Sequence, residues 1–368
     1  MGGQKGNVLA NTGYACAMRQ LINGWRAAWS ATPGTTDPLA PFGVVTLASS
    51  GSEGGPNMGT MRQAQTASYG VLPSPELPNT FLAQGYDLDD PWGPQEGPCF
   101  DVKWTRAPKW ACCAADKSPY NKTKCAGREE LCAPACAAMT GTSVVMGGIH
   151  PRSKKEVGDR LGAAAFNTVY GGTGAFTGPT LSSCAVSGSA LTLNFNTSLL
   201  RGDTLVLQPV LPIVDSSGGS QLWVQTNATL FCMEASCAIN ATTGRCESTP
   251  RGEKPNEICP GYAGGDGTTV LPRGLFDGGW VQLLNLSIAP SGTGIVADLS
   301  ALNGLAPTAV KYAFDTTDCC DHTDPMLFVT HGCIAQCPIM SSSNLPANPF
   351  QAKIVGGACE CVPPQVCS

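Results

Sequence analysis

The sequence has little charge, few histidines and no long apolar run. Only 13% of its 368 residues are charged and only three are histidine. With so few charges and no basic block interleaved with aromatics, the net charge of -5 excludes the usual nucleic-acid binder. No stretch of 18 or more apolar residues occurs, which excludes a transmembrane helix of the ordinary kind. Glycine (44) and proline (29) are plentiful instead, the composition of a loop-rich globular protein rather than a helical bundle.

Cysteine is the other abundance. Nineteen of them point to an oxidising compartment, because thiols kept reduced in a cytosol seldom reach that density without paired zinc motifs. Five Asn-x-Ser/Thr triplets, at Asn121, Asn196, Asn227, Asn240 and Asn285, point the same way. The expected location is therefore secreted, extracellular or lysosomal/lumenal. The opening "MGGQKGNVLANTGYACAMRQ" carries neither a basic nor an apolar leader region, so the expectation is that an N-terminal segment of the same protein lies upstream.

Along the chain, residues 12–29 read as a helix with an apolar stripe of Met18, Leu21, Ile22, Trp25 and Trp29. "FGVVTLAS" (42–49) reads as a strand covered on both faces, 58–70 as a second helix, and 79–88 as the next strand. A further helix follows His150, with Pro151 in its first turn and Val157, Leu161, Ala164 and Ala165 as its buried stripe. This alternation predicts an α/β fold with a parallel sheet. Residues 91–146 break it with six cysteines and little periodicity, and read as a disulfide-stapled insertion. From about residue 173, "SALTLNFN", "DTLVLQPVL", "QLWVQTNATLFCM" and "GWVQLLNLSIA" predict a β-rich, sandwich-like domain.

His150 is the candidate for chemistry. A histidine before a helix, following the last sheet element, occupies the place where parallel α/β sheets put their reactive groups. A neutral imidazole there can take a proton from a hydroxyl and return it to a leaving alcohol. A histidine that merely caps the helix remains the alternative. A metal site is a third reading for Cys319, Cys320, His322, His331, Cys333 and Cys337, which are zinc-type ligands in type. Their spacing fits no paired Cys-x-x-Cys motif, so disulfides are favoured and no metal is expected.

The block "IHPRSKKEVGDRLGAAAFNTVYGG" resembles the catalytic-histidine region of the sialate O-acetylesterases, members of the SGNH-type esterase superfamily. "LINGWRAAW" (21–29), "PFGVVTLAS" (41–49), "MRQAQTASYGVLPSPELPNTF" (61–81) and "YDLDDPWG" (86–93) resemble family segments in the family's order. So do "KYAF" (311–314), "CPI" (337–339) and "NLPANPF" (344–350). The resemblance implies a Ser/His hydrolase that removes O-acetyl groups from sialic acids or related glycans without a cofactor. It implies the C-terminal half of a three-layer α/β/α SGNH-hydrolase sheet in residues 1–90 and 147–172, interrupted by the insertion at 91–146 and followed by the β-rich domain at 173–368.

Carried over by position, His150 is the general base. The acid that many such esterases place three residues earlier is here Gly147, which leaves Asp87, Asp89 and Asp90 as the nearest carboxylates. Asp87 is the candidate orienting acid, with turn formation as its bland alternative. "GQKGNV" (3–8) resembles a degraded Gln-Gly-Glu-x-Asn block, which makes Asn7 a candidate oxyanion donor, with Lys5 where the block has its acid. No early Gly-x-Ser turn after the first strand, where the family carries its nucleophile, is found in this sequence. A non-catalytic, cysteine-rich glycan-binding chain is therefore the competing reading.

Overall fold

The computed structural model describes residues 13–48, 58–88, 154–208, 222–226, 276–277, 280–302, 304–314 and 337–360. The helix read from 12–29 is present as α1 (Tyr14–Trp29), but it is turned from the face its stripe implies. Ile22 and Arg26 point inward and are buried, whereas Leu21, Trp25 and Trp29 are exposed. Arg26 explains the rotation. Its guanidinium donates to the carbonyls of Ala40 (Nε, 2.9 Å) and Pro78 (Nη2, 2.7 Å), tying α1 to the two loops that feed the sheet. Burial lowers its pKa from the usual arginine value, against the pull of Asp37. Hydrogen bonds to a charged group outweigh that desolvation where the partners are fixed backbone carbonyls. The displaced tryptophans stack on each other with centroids 5.5 Å apart, and Trp25 also meets the Phe42 ring at 5.5 Å.

Strands β1 (Phe42–Val45) and β2 (Thr80–Ala83) pair in parallel, Val44 opposite Leu82. On one face, Val44 and Leu82 join Ile22 of α1 and Leu72 and Leu77 of the β2 approach in a small core. On the other face lies α3 (Lys154–Val169). Gly43 permits that contact, since a Cβ there would stand 2.6 Å from the Phe81 ring and 3.2 Å from Leu161 of α3. Helix α2 (Met58–Gln65) closes the outer edge of β1. The Gln65 carboxamide accepts from the Leu47 N–H (3.1 Å) and donates to the Val45 carbonyl (3.3 Å), the two contacts a neighbouring strand's peptide group would supply.

Three expectations are corrected here. The strand read over 42–49 ends at Val45, which is 38% exposed, so it is not covered on both faces. The strand read over 79–88 ends at Ala83. The helix read over 58–70 ends at Gln65, and positive φ values at Ala67 (56°) and Ser68 (73°) turn the chain. Parallel pairing among the described residues amounts to this one pair, so the larger layered sheet implied by the resemblance is not seen in them.

The rest of the described chain builds antiparallel structure. In order come β3 (Leu181–Ser187), β4 (Ala190–Phe195), the short helix α4 (Thr197–Leu200), β5 (Leu205–Leu207), β6 (Leu222–Thr226), β7 (Phe276–Asp277) and β8 (Trp280–Gln282). Then follow β9 (Leu286–Ile288), β10 (Gly294–Asp298), β11 (Pro307–Tyr312), β12 (Ile339–Ser341), β13 (Phe350–Val355) and β14 (Ala358–Glu360). Ten of these strands form one sheet, ordered β7-β8-β6-β11-β13-β14-β3-β4-β10-β9, while β12 and β5 pair separately. Strict in/out alternation explains the central members: in β13, Phe350, Ala352 and Ile354 face inward, and Gln351, Lys353 and Val355 face out.

Leu191, Leu193 and Ile295 near one end share a core with Val224, Val281 and Val310 near the other, so the sheet is curled upon itself. Among the described residues, the expected sandwich-like domain is this curled sheet with the β12–β5 pair packed into the same core. The run read over 279–289 divides into β8 and β9. Cys184 on β3 and Cys359 on β14 form a disulfide across neighbouring strands, 175 residues apart in sequence.

Candidate active-site region

The carboxyl end of β2 runs into Gln84–Leu88, the position where parallel α/β sheets carry function. Asp87 lies there with no exposed surface. Its two oxygens accept from Arg160 Nη1 and Nη2 of α3, each at 2.6 Å, and Nη1 also donates to the Gln84 carbonyl at 2.8 Å. This is the fork-on-fork geometry that makes arginine–carboxylate pairs strong and directional. Burial works against the Arg160 charge, but the Asp87 charge and hydrogen bonds prevail and hold its pKa above the usual arginine value.

Around this pair runs a chain of buried polar side chains. Thr46 donates to Gln84 Oε1 (2.6 Å), Gln84 Nε2 donates to Asn348 Oδ1 (2.8 Å), and Asn348 Nδ2 reaches the hydroxyls of Thr177 (2.8 Å) and Thr180 (2.7 Å). The chain links β1 and β2 to the segment before β13. Tyr86 adds a second link by donating to the Ala347 carbonyl at 2.7 Å. Burial, first of all, pushes the Tyr86 phenol well above its ordinary pKa, with Tyr312 and Asp87 adding to the rise and Arg62 opposing it. Tyr86 therefore acts as a neutral donor. Arg62 completes the junction through the carbonyls of Leu47 and Ala313, both at 2.9 Å.

A cavity of about 20 Å³ lies beside Arg160, lined also by Gln84, Ala164, Phe176, Thr177 and Pro346. That is room for roughly one water molecule and not for a sugar. The groups named here are engaged with protein partners, so the arrangement is a rigid support for whatever the carboxyl end of the pair presents.

Of the residues singled out in the sequence, Asp87 alone among the site candidates lies within the described residues. His150, Asn7, Lys5, Gly147, Asp89 and Asp90 lie outside them, as do Cys319, Cys320, His322, His331 and Cys333. Cys337 is buried and disulfide-bonded, so its sulfur is not a thiolate ligand. Helix α3 carries the stripe expected of it, with Ala164 buried and Val157, Leu161 and Ala165 partly so. Sequence reading missed Arg160. The available signal was its spacing: an arginine three residues after Val157 and four before Ala164 sits on the inward face, where it needs a carboxylate.

No protein-family model matches the chain. Among curated proteins, it is 42% identical over 89 residues to the sialate O-acetylesterase of Rattus norvegicus, which is 22% of this chain and 16% of that one. It is 38% identical over 94 residues to the Homo sapiens sialate O-acetylesterase, 24% of this chain and 18% of that one. The matched stretch is thus under one fifth of the length of these relatives. Among solved structures, a carbohydrate acetylesterase from Xanthomonas citri aligns over 95% of this chain and 48% of its own, at 16% identity and a TM-score of 0.47, a likeness too slight to carry an argument. Over about a quarter of its length, this chain is thus similar in sequence to the sialate O-acetylesterases.

Proposed function

We propose that the chain is part of a secreted or lumenal carboxylic ester hydrolase that removes O-acetyl groups from sialic acids or related glycans. The observation that carries this reading is the 42% identity over 89 residues to an enzyme of that name. His150 serves as general base. Its imidazole takes the proton of a serine hydroxyl as the oxygen attacks the acetyl carbonyl, then protonates the departing sugar oxygen. Water repeats the cycle to release acetate. The serine is assigned to a part of the protein outside this sequence. Asn7 donates to the oxyanion, and Asp87, already held by Arg160, orients the base.

The support for His150 as a working group is mechanical. Helix α3 is described from Lys154, four residues after it, and Arg160 bolts that helix to the end of β2. Catalysis through two proton transfers needs a base carried by an element held as firmly as α3. The Cys184–Cys359 disulfide supports an oxidising location.

The lack of an early Gly-x-Ser turn favours a second reading, a glycan-binding chain without turnover. Acetate release from O-acetylated sialic acid separates the two. Release by the whole protein that disappears in His150→Ala, together with serine labelling by a fluorophosphonate, is the expected result. Retained glycan binding with neither release nor labelling would establish the second reading instead.

A further inference from the structure

We infer that Asn285 carries an N-linked glycan and that this glycan guards the open edge of the ten-stranded sheet. Among the described residues, strand β9 ends that sheet, with no strand beyond it in the order. The Asn285 carbonyl accepts from the Asp298 N–H (3.0 Å), and the Ala289 N–H donates to the Gly294 carbonyl (2.9 Å). Backbone groups alternate in direction along an antiparallel strand, so the peptide groups of Leu286 and Ile288 face away from β10. Strand β5 packs near β9 without pairing to it. Ile288 is 40% exposed, and the strand Leu-Ser-Ile contains no lysine, no proline and no inward charge. Those are the devices with which natural edges resist pairing with a second molecule. Apart from its shortness, three residues, this edge has none of them on the strand itself.

What stands beside it is Asn285-Leu286-Ser287, an acceptor triplet whose asparagine and serine are both exposed and whose middle residue is not proline. The Asn285 side chain hydrogen-bonds the Asp298 carboxylate at the surface, whereas the asparagine of the other described triplet is held as a helix cap. Asn196 is half-buried, and its Oδ1 accepts from both the N–H (3.0 Å) and the hydroxyl (2.6 Å) of Ser198, capping α4. Asn285 heads the edge strand on its solvent face, where a bulky hydrophilic chain overhangs the outward peptide groups of Leu286 and Ile288. In the transfer, Asn285 Nδ2 attacks C1 of an oligosaccharide carried on a lipid pyrophosphate. The C–N bond forms, the C1–O bond to the pyrophosphate breaks, and the amide proton passes to base. The disulfide between Cys184 and Cys359 fits the oxidising lumen in which such donors are used.

The full chain, expressed through the secretory route of a eukaryotic host, gives the test. Peptide mapping after enzymatic deglycosylation should find Asn285 converted to aspartate, and Ser287→Ala, which keeps the asparagine, should abolish that conversion. Size-exclusion chromatography of Ser287→Ala should show a severalfold rise in dimers and larger assemblies. Adding Ile288→Lys in that background should return the chain to the parent profile, because a charge on the edge replaces the glycan's role. Unmodified Asn285 in the secreted protein overturns the site. A glycosylated Asn285 whose loss leaves the elution profile unchanged overturns the guarding role.

Discussion

Breaking the Asp87–Arg160 pair by Asp87→Asn tests the central structural claim about this region. The substitution keeps the side-chain shape but replaces one acceptor oxygen with a donor that faces a guanidinium nitrogen. Two hydrogen bonds of 2.6 Å are affected, at a carboxylate with no exposed surface and an arginine whose side chain is 9% exposed. At about 1.5–3 kcal/mol for each bond to a charged group, the loss is about 3–6 kcal/mol. That brackets the roughly 3–5 kcal/mol typical of removing one member of a buried pair. Solvent screening deducts little here, because neither group meets bulk water.

Urea denaturation of the full chain with disulfides intact reads the difference as a lower midpoint at unchanged slope. Arg160→Met alone should cost a similar amount by leaving Asp87 charged and unpaired. The double substitution Asp87→Leu/Arg160→Met should recover most of the loss, since an apolar pair of similar volume needs no compensation. A cost under about 1 kcal/mol for Asp87→Asn would refute the reasoning. So would a double variant no better than the sum of its singles.

Three further outcomes follow from other contacts. Replacing both Cys184 and Cys359 by serine should lower stability by about 5 kcal/mol, because closing a loop of 175 residues removes that much chain entropy from the unfolded state; equilibrium unfolding with and without reductant measures it. Gly178→Ala places a Cβ 1.9 Å from the Pro346 carbonyl oxygen, so the junction must separate, at a cost of about 3 kcal/mol or more seen as a lower melting temperature. Asp298 has its pKa lowered by the Ser300 N–H and then by the Ser300 hydroxyl. Its contribution is therefore present above the ordinary aspartate pKa and is lost as pH falls through the depressed one. Ser300→Ala should raise the Asp298 titration toward the ordinary value by carbon-detected NMR.

The parts of the fold legible in the sequence were those where side-chain chemistry repeats along one element. Helix α3 announced itself by its apolar stripe, and β4 by alternation from Ala190 to Phe195. Periodicity was silent where a polar side chain took an inward place. The stripe on α1 gave way because Arg26 bonds two carbonyls that are distant in sequence, a contact no local window contains. The same holds for Gln65, which substitutes for a missing strand, and for Asn348, whose partners Gln84, Thr177 and Thr180 lie more than 160 residues away. The strand over 42–49 stopped short because its pairing ends with its neighbour: the Thr46 N–H meets the carbonyl of Ala83, the last residue of β2. At the candidate site, the carboxylate Asp87 was found from its position after a strand, whereas Arg160 was missed because its partner lies 73 residues away, outside any local window.

The Cys184–Cys359 bridge alters what proteolysis can do to this molecule. Any single backbone cut between the two cysteines leaves both fragments covalently joined, and β3 and β14 still lie side by side in the sheet. A nicked chain would then migrate as one species until reduced. A single cut within that interval can remake the surface of the protein without releasing a piece of it, whereas this bridge does not retain a fragment cut off on the amino-terminal side of Cys184.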